Sequence, residues 1–588
     1  MILQALSEYY QRKATNDSSS IAPEGFEYKE IPFVLVLDRQ GNIVNLESTY
    51  EGEGKSKRAK SFLIPKAVKK TSGIASNLLW ENPEYALGIS AKNKPKRVLD
   101  MHEKFKEKIN SLGEVEDDGL KALKLFLDKP NKLNLLQEKA KTDKSFDEIL
   151  KQLSEKPLPM TFRLQGESNI IVESDVLREA VKSLSNSNPE ENEKIVCLVT
   201  GNRDFIEQLH PAIKGVWGGQ STGSNIVSFN SDAYCSYDKK KGYNAPVGKK
   251  AAFAYTTALN TLLSKDSNQR IQVGDASTVF WAAKPSGKDF EKTLYSLFSI
   301  TDKDNPDKGT EAVKSLYKLV ENGVSCVPDG DNEFYVLGLS PNAARISVRF
   351  WVKSTIAQMA YNISQHFKDL RIVRSSYEKE FLSLFRLLVS TAVQGKADNI
   401  APHLAGDFMM SAILKNLPYP TILLQLVMNR IKAEQKIDYP KAALIKAYLN
   451  RLARANNKEE EIEVNLNTNN ENQGYVLGRL FAALEKIQEE AQGETNSTIM
   501  RYYGSASSTP VTVFSTLMKL HHNHLDKLGK VNKGRAVNFE KLVSEITSKI
   551  DDTKGYSSHL SLADQGMFSI GYYQQRQEFF TKKEKKDE

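Results

Sequence analysis

The hydrophobic period of this chain changes once, near residue 353, and that change constrains the fold more than any other feature. Before it, short apolar, β-branched runs suited to buried strands recur at Pro32–Leu37, Ile195–Val199, Ile226–Phe229, Val279–Ala282, Phe334–Leu339 and Ile346–Trp351. Helical spacing lies between them, as in Met101, Phe105, Ile109 and Leu112, with Lys and Glu on the opposite face. The strand-to-strand spacing is irregular, which favours an α+β layout over a strict βαβ array. After residue 353 the strand signals fade and six helical stripes follow. They are Phe381–Leu384–Leu388–Ala392, Leu423–Leu426–Val427–Ile431, Ile445–Leu449–Leu452, Leu480–Leu484–Ile487–Ala491, Phe514–Leu517–His521–Leu525–Leu528 and Leu542–Ile546–Ile550. Pro440 precedes the third at a first-turn position. Break signals lie at 395–402 and 456–473. The expected architecture is an α+β N-terminal region of mixed sheets and helices, 1–353, followed by an all-α C-terminal helical bundle, 354–588. No internal repeat of fixed period occurs. A chain of 588 residues exceeds what one core supports.

The composition, 40% hydrophobic and 26% charged, is that of a globular protein. No apolar run approaches 18 residues, so no membrane-spanning helix is expected. The opening MILQALSEYYQRKA lacks the apolar core of a signal peptide and reads as a short amphipathic helix. Cys197, Cys235 and Cys326 are isolated and odd in number, which argues against a disulfide framework or a zinc site and fits a reducing cytoplasm. No cofactor is expected.

The net charge of +8 is small for this length, so basic character matters only where it is local. Between Glu53 and Glu81 stand seven basic residues and no acidic one: Lys55, Lys57, Arg58, Lys60, Lys66, Lys69 and Lys70. Such a run repels itself unless an anion sits among it, and phosphate is the commonest such partner. A solvated basic loop is the alternative. Thr71, Ser72 and Asn77 add small polar groups that can reach phosphate oxygens or base edges. A second run, 428–458, holds eight basic residues, among them Arg430, Lys432, Lys441, Lys446, Arg451 and Arg454, against Glu434 and Asp438. It reads either as a solvated helix face or as a groove tracking a single strand. A third, 234–250, interleaves Tyr234, Tyr237 and Tyr243 with Lys239, Lys240, Lys241, Lys249 and Lys250. It is either a polar hairpin loop or a base-stacking surface.

Three motifs mimic catalytic signatures. Gly219-Gln220-Ser221-Thr222-Gly223 matches G-x-S-x-G, but a strand is expected after it where a nucleophile elbow needs a helix. A glycine-rich loop, Gly218 to Gly223, that contacts phosphate or ribose is the better reading. Gly242 to Lys250 resembles a phosphate-binding loop but has five residues between its glycines and Lys250 in place of Ser or Thr. His521-His522-Asn523-His524 lacks a third metal ligand in view, and His521 falls on an apolar stripe. No metal site is expected.

The blocks MILQALSEYY, IPFVLVLD at 31–38, PKAVKKTSGIASNLLWENPEYALG at 65–88, LHPAIKGVWGGQSTGSNIVSFN at 209–230, SYDKKKGYNAP at 236–246, AAFAYTTALNTLL at 251–263 and LGLSPNAARISVRFW at 337–351 carry a family resemblance. So do GYVLGRLFAALEKIQEEA, YYGSASSTPVTVF and the late Gln565–Phe568 and Gly571–Tyr573. Together they resemble the large subunit of the type I-C CRISPR Cascade complex, nearly end to end.

The resemblance implies a non-catalytic subunit at the 5′ end of a CRISPR RNA. Such a subunit recognises the motif flanking the target (the PAM) in double-stranded DNA, promotes R-loop formation and helps recruit a helicase-nuclease. Its implied partners are the CRISPR RNA, target DNA, the Cascade backbone subunits, the RNA-processing subunit and a small subunit made from the same gene by internal translation. Met409, Met410 and Met428 are possible starts for the last. In that role the 55–70 cations would hold phosphates near the PAM, with Thr71, Ser72 and Asn77 at base edges. Gln220 would insert at the opening step. Gly218, Gly219, Ser221, Thr222, Asn225, Asn230 and the 239–250 lysines would hold RNA or phosphate. Arg345 and Arg349 would hold the RNA handle or a neighbouring subunit, with Arg345 as a structural cap of the Pro341-Asn342 turn in competition. The 430–454 cations would hold the displaced strand. A purely structural scaffold, and a hydrolase or nuclease, are the rival classes.

Overall fold

The structure, a computed structural model, describes the chain apart from residues 16–20, 55–56, 69, 71–72, 91–94, 131, 187–193, 274, 299–328, 402–403, 405–409, 459, 494–498, 552, 554 and 581–588. It divides into two compact units, residues 1–211 with 227–259, and residues 212–226 with 260–588.

In chain order the main elements of the first unit are α1 (Ile2–Ala14), β1 (Phe26–Glu30), β2 (Phe33–Leu37), β3 (Ile43–Ser48), β4 (Tyr50–Glu51), β5 (Arg58–Ala59), β6 (Ser61–Pro65), β7 (Trp80–Glu81), α2 (Pro83–Ala86), α3 (Pro95–Asn110), α4 (Asp118–Asp128), α5 (Lys132–Thr142), α6 (Lys144–Glu155), β8 (Met160–Leu164), α7 (Asp175–Asn186), β9 (Ile195–Val196), β10 (Arg203–Asp204) and the start of α8 (Lys249–Leu262). The run Phe33–Leu37 is buried at every position because it is a central strand, antiparallel to β3 and parallel to β8 in the sheet β3-β2-β8-β7. Helices α3, α4 and α6 bring Phe105, Phe126 and Phe146 into the core with Phe162 of β8. Phe105 stacks on Phe162 with ring centres 6.0 Å apart. Asp117 and Asp143 cap α4 and α6 by accepting hydrogen bonds from Leu120 and Phe146 amides.

Two of the expected strands are shorter or absent. Ile195–Val199 pairs only at β9, because the chain turns back at once: Cys197 N–H donates to the Asn202 carbonyl and Gly201 N–H to that of Cys197. Ile226–Phe229 is irregular and has no strand partner among the described residues.

The second unit holds β11 (Arg270–Val273), β12 (Ala276–Ala282), α9 (Lys288–Phe298), β13 (Glu333–Asn342) and β14 (Arg345–Thr355). Its helices are α10 (Ile356–Leu370), α11 (Leu384–Val389), α12 (Ser411–Lys415), α13 (Thr421–Glu434), α14 (Tyr439–Ala455), α15 (Gln473–Gln492), α16 (Tyr503–Ser508), α17 (Phe514–Val531), α18 (Lys533–Thr547) and α19 (Leu562–Glu578). The four strands form an antiparallel sheet in sequence order. Strand gives way to helix at Thr355, whose hydroxyl caps α10 by accepting from Gln358 N–H. That point is not a boundary between compact units. Phe280, Phe334, Val336 and Phe350 of the sheet share one core with Ile363, Leu423, Leu480 and Phe568 of the helices. The stripe drawn from Phe381 to Ala392 shrinks to α11, because Ser383 caps the helix after Phe381. In α15 and α19, Gly478 faces the Phe568 carbonyl and Gly571 that of Tyr475, so closely that any Cβ would collide with backbone. Those glycines lower helix propensity but let two backbones meet.

The 428–458 cations are placed by α14, which is buried on every face from Tyr439 to Arg451. Asp369, 1% exposed, receives Arg451 Nε at 2.9 Å and Arg454 Nη2 at 2.6 Å. Arg451 Nη1 also donates to the carbonyls of Ala412 and Leu417, and its guanidinium lies over the Tyr419 ring. Lys446 Nζ donates to the Asp369 carbonyl, and Lys441 pairs with Glu434 and Asp438 at 2.6 and 3.1 Å. Lys441, Lys446 and Arg451 are therefore internal and cannot hold a displaced strand. Arg454 is partly exposed but bound to Asp369 and Glu461.

Asp369→Ala, which leaves a buried arginine unpaired, is expected to cost about 3–5 kcal/mol, read as a lowered urea midpoint. Burial lowers the Lys446 pKa from 10.5 to about 8. Between those values the unfolded chain binds more protons than the folded one, so this residue makes stability rise with pH, fully above 10.5 and not at all below about 8. Lys446→Met should flatten that rise in melts run from pH 7.5 to 10 (roughly this window).

Candidate nucleic-acid interface

The first basic block is divided by its local structure. Lys57 and Arg58 sit on the β4–β5 ribbon and Lys60 just beyond it, all exposed. Lys57 Nζ lies 5.0 Å from the Tyr50 ring centre and Lys60 Nζ 5.3 Å from that of Phe62. Lys57 and Tyr50 also line a cleft of about 300 Å³ with Gln152, Glu155, Lys156 and Leu158. Lys66 points inward over Phe253, and burial lowers its pKa against the opposing pull of Glu207 and Glu27. Lys55, Lys69, Thr71 and Ser72 lie outside the described residues.

Lys70 and Asn77 are committed to a carboxylate. Glu81, 2% exposed, pairs with Lys70 Nζ, accepts from Asn77 Nδ2 at 2.9 Å and Asn77 N–H at 3.1 Å, and accepts from Asn82 N–H at 2.8 Å. Asn77 Oδ1 accepts from Val68 N–H at 2.8 Å. Lys70 also lies 4.0 Å from the centre of the Tyr85 ring. The block thus has a counter-ion, supplied by the residue that closes the window. Asn77 is buried with both ends of its amide engaged, so it does not present itself to base edges.

The 234–250 segment keeps its cations outward. Lys239, Lys240, Lys241, Lys249 and Lys250 are exposed and form no side-chain ion pair among the described residues. The loop is shaped by Asn244, whose Nδ2 donates to the Lys239 and Lys241 carbonyls and whose Oδ1 accepts from Ser236 N–H. Tyr237, Asp238 and Lys241 take positive φ values there, and the Tyr234 and Tyr237 rings remain exposed. At the start of α8, Lys250 N–H donates to Asp204 Oδ2. A carboxylate therefore occupies the helix end where a phosphate-binding loop would hold phosphate.

In the second unit, the Gly218–Gly223 loop is a turn system closed by reciprocal Ile213–Ser224 backbone bonds at 2.8 and 2.9 Å. Gly223 has φ +92° and no room for a side chain beside Ile213. Gln220, Ser221 and Thr222 are exposed, and no helix follows Ser221. The strand–serine–helix context of a nucleophile elbow is absent here. Asn225 joins the loop to the hairpin tip: its N–H donates to the Ala344 carbonyl and its carbonyl accepts from Ile346 N–H. Arg345 opens β14 beside it; Asn230, which belongs to the first unit, is exposed. Arg349 is held between Ser340 Oγ at 2.6 Å and Asp275 at 3.0 Å, which makes it a brace within the sheet.

Arg430 is half-buried and Lys432 donates to Gln565 Oε1. His521 and His524 are buried, His521 Nδ1 against the Met518 carbonyl. The described residues contain no group of three side chains arranged for a metal, and no helix long and apolar enough to cross a membrane.

A family model described as CRISPR-associated protein (Cas_Csd1) matches residues 6–580. The chain belongs to the CRISPR-associated Cas_Csd1 family. No curated protein matches the sequence. In this family member, Lys57, Arg58, Lys60, Lys239, Lys240, Lys241 and the glycine loop sit on strand and turn frameworks, Lys249 and Lys250 open α8, and Lys441, Lys446 and Arg451 of α14 are internal. One exposed side chain escaped the sequence reading. Trp217, 61% exposed, precedes the Gly218-Gly219 pair, and its signal was a bulky aromatic among glycines, where a turn leaves no core to receive it.

Asn77→Ala removes a partner from the Val68 amide and from Glu81. It should cost about 1–3 kcal/mol, seen as an earlier thermal melt. An unchanged melt would show the amide to be dispensable.

Proposed function

We propose that this Cas_Csd1 protein is the non-catalytic large subunit of an RNA-guided type I-C surveillance complex, acting in the cytoplasm. It recognises the PAM in target duplex, contacts the 5′ end of the CRISPR RNA, promotes R-loop formation and helps recruit the helicase-nuclease. Its other partners are the backbone subunits and the RNA-processing subunit. Family membership supports the setting. The observation that carries nucleic-acid binding is the 234–250 segment, with five lysines free of ion pairs among the described residues, two exposed tyrosines and a backbone fixed by Asn244. Opening a duplex while forming the hybrid is nearly balanced, so a few backbone contacts suffice to tip it.

Lys57, Arg58 and Lys60 form the second cationic ribbon in this reading, and the Gly218–Gly223 loop with Arg345 the second unit's contribution. A small subunit from the same gene is part of the proposal, with a constraint on its start. Met428 is buried in the middle of α13, and Met410 lies after Asp369 in the chain. A fragment beginning at either lacks the carboxylate that Arg451 needs.

The test is duplex binding across a salt series, with and without a PAM. Lys239→Ala with Lys240→Ala and Lys241→Ala should reduce the slope of log K against log[salt] by about 2–3. Binding that keeps its affinity and slope after this change and after neutralisation of Lys57, Arg58 and Lys60 would favour a structural scaffold. Loss of interference with Ser221→Ala alone would favour a hydrolase.

A further inference from the structure

We propose that Trp217 is a fixed platform on which one unpaired nucleobase stacks, an inference that rests on the nucleic-acid reading above. The chain has four tryptophans. Trp80 and Trp281 are buried, and Trp351 is half-buried and stacked on Tyr335 with ring centres 5.5 Å apart. Trp217 stands out from the surface, in contact with no other ring or cation among the described residues. Water is a poor place for an indole, and a protein that holds one there gives up burial available elsewhere.

The backbone beneath it is pinned on several sides. Trp217 N–H donates at 2.9 Å to Ser277 Oγ, and Ser277 is fully buried in β12. Gly219 N–H closes a turn on the Val216 carbonyl, and Lys214 N–H donates to Asn260 Oδ1 at 2.8 Å. Gly215, at φ +86°, passes so near the Leu263 carbonyl that a Cβ would lie 2.6 Å from it. The indole is therefore carried by a loop already in one conformation, which lowers the ordering cost of binding.

The neighbourhood selects the ligand. Tryptophan at the centre of a protein–protein contact is ringed by apolar surface. Here the exposed residues near it in the chain include Lys214, Gln220, Ser221 and Thr222, and Val216 is buried. Lys214 forms no ion pair among the described residues. A loop that exposes an aromatic ring together with an ammonium group, hydroxyls and an amide carries the set that holds a base and its phosphate. Any base offers the π-face, so the nucleotide can come from an opened DNA strand or from RNA.

The experiment uses the full chain, titrated separately with oligo-dT and oligo-rU, with tryptophan emission, iodide quenching and affinity as readouts. Binding should quench part of the emission and shield it from iodide, and Trp217→Phe should remove that change while keeping most of the affinity. Trp217→Ala should weaken single-strand binding by about 5- to 100-fold with the duplex salt slope unchanged. The oligonucleotide that shields the emission more strongly identifies the source. Should oligonucleotides bind with emission unaltered and Trp217→Ala equal to the parent, the platform is wrong and the nucleic-acid reading stands. Shielding by a partner subunit alone, with no nucleic acid, would also overturn it. Failure of the parent chain to bind any strand or duplex would refute the reading on which the platform rests.

Discussion

One buried carboxylate governs the charge balance of the helical region. Asp369 ends α10, the helix that leaves the four-stranded sheet, and it meets Arg451 and Arg454 from α14. Its own backbone carbonyl takes Lys446. An unpaired guanidinium at that depth would be prohibitively desolvated. The pairing therefore ties the sheet-proximal helix to the centre of the bundle, within a core that apolar side chains of sheet and helices share. Tyr419 adds to the lock by lying under Arg451, and burial raises its hydroxyl pKa far above the usual tyrosine range.

The same interaction separates two kinds of basic sequence. Lys239, Lys240, Lys241 and the lysines of the β4–β5 ribbon lie in turns and edge pairs, and Lys249 and Lys250 in the first turn of α8, where the ammonium groups stay in water. The cations of 441–454 lie on a helix surrounded by other helices. A count of charges along the chain sees no difference between them. What distinguishes them is the apolar residues between the charges: Ala442, Ala443, Leu444, Ile445, Ala447, Tyr448 and Leu449 cover α14 all round, and a helix apolar on every side is buried.

Much of the fold was legible for this reason. Strand runs with a partner on each side, as at Phe33–Leu37 and Val279–Ala282, appear where their composition placed them, and five of the six stripes lie on helices of at least two turns. The misses have local causes. Ile226–Phe229 has strand composition, but the preceding residue, Asn225, makes the pairing that is available. Helix α19 carries Gly566 and Gly571 where a stripe would carry leucine, because its role is close approach. At the interface, the exposed lysines and the glycine turns were visible as composition. The commitment of Asn77 and Lys70 to Glu81 was not, because the acidic partner stands at the very end of the basic window and reaches back across a turn.

On the proposed reading, these placements narrow where a polyanion can run. A strand of nucleic acid follows cations that are free to exchange water for phosphate, and an arginine already bonded to a carboxylate must first break that bond inside a low-dielectric core. The helical cations of 441–454 are therefore poor candidates for the track, although four of them stand within fourteen residues. Loops held by side-chain amides and glycines offer the opposite balance: Asn244 fixes its loop from within, and Ser277 and Asn260 fix the Trp217 loop from the sheet and from α8. In both cases the backbone is ordered before any ligand arrives, while the ammonium, hydroxyl and aromatic groups stay in water. On the proposed reading, the exposed lysines and the indole on such loops are what separates a binding surface from the charged structural core of α14.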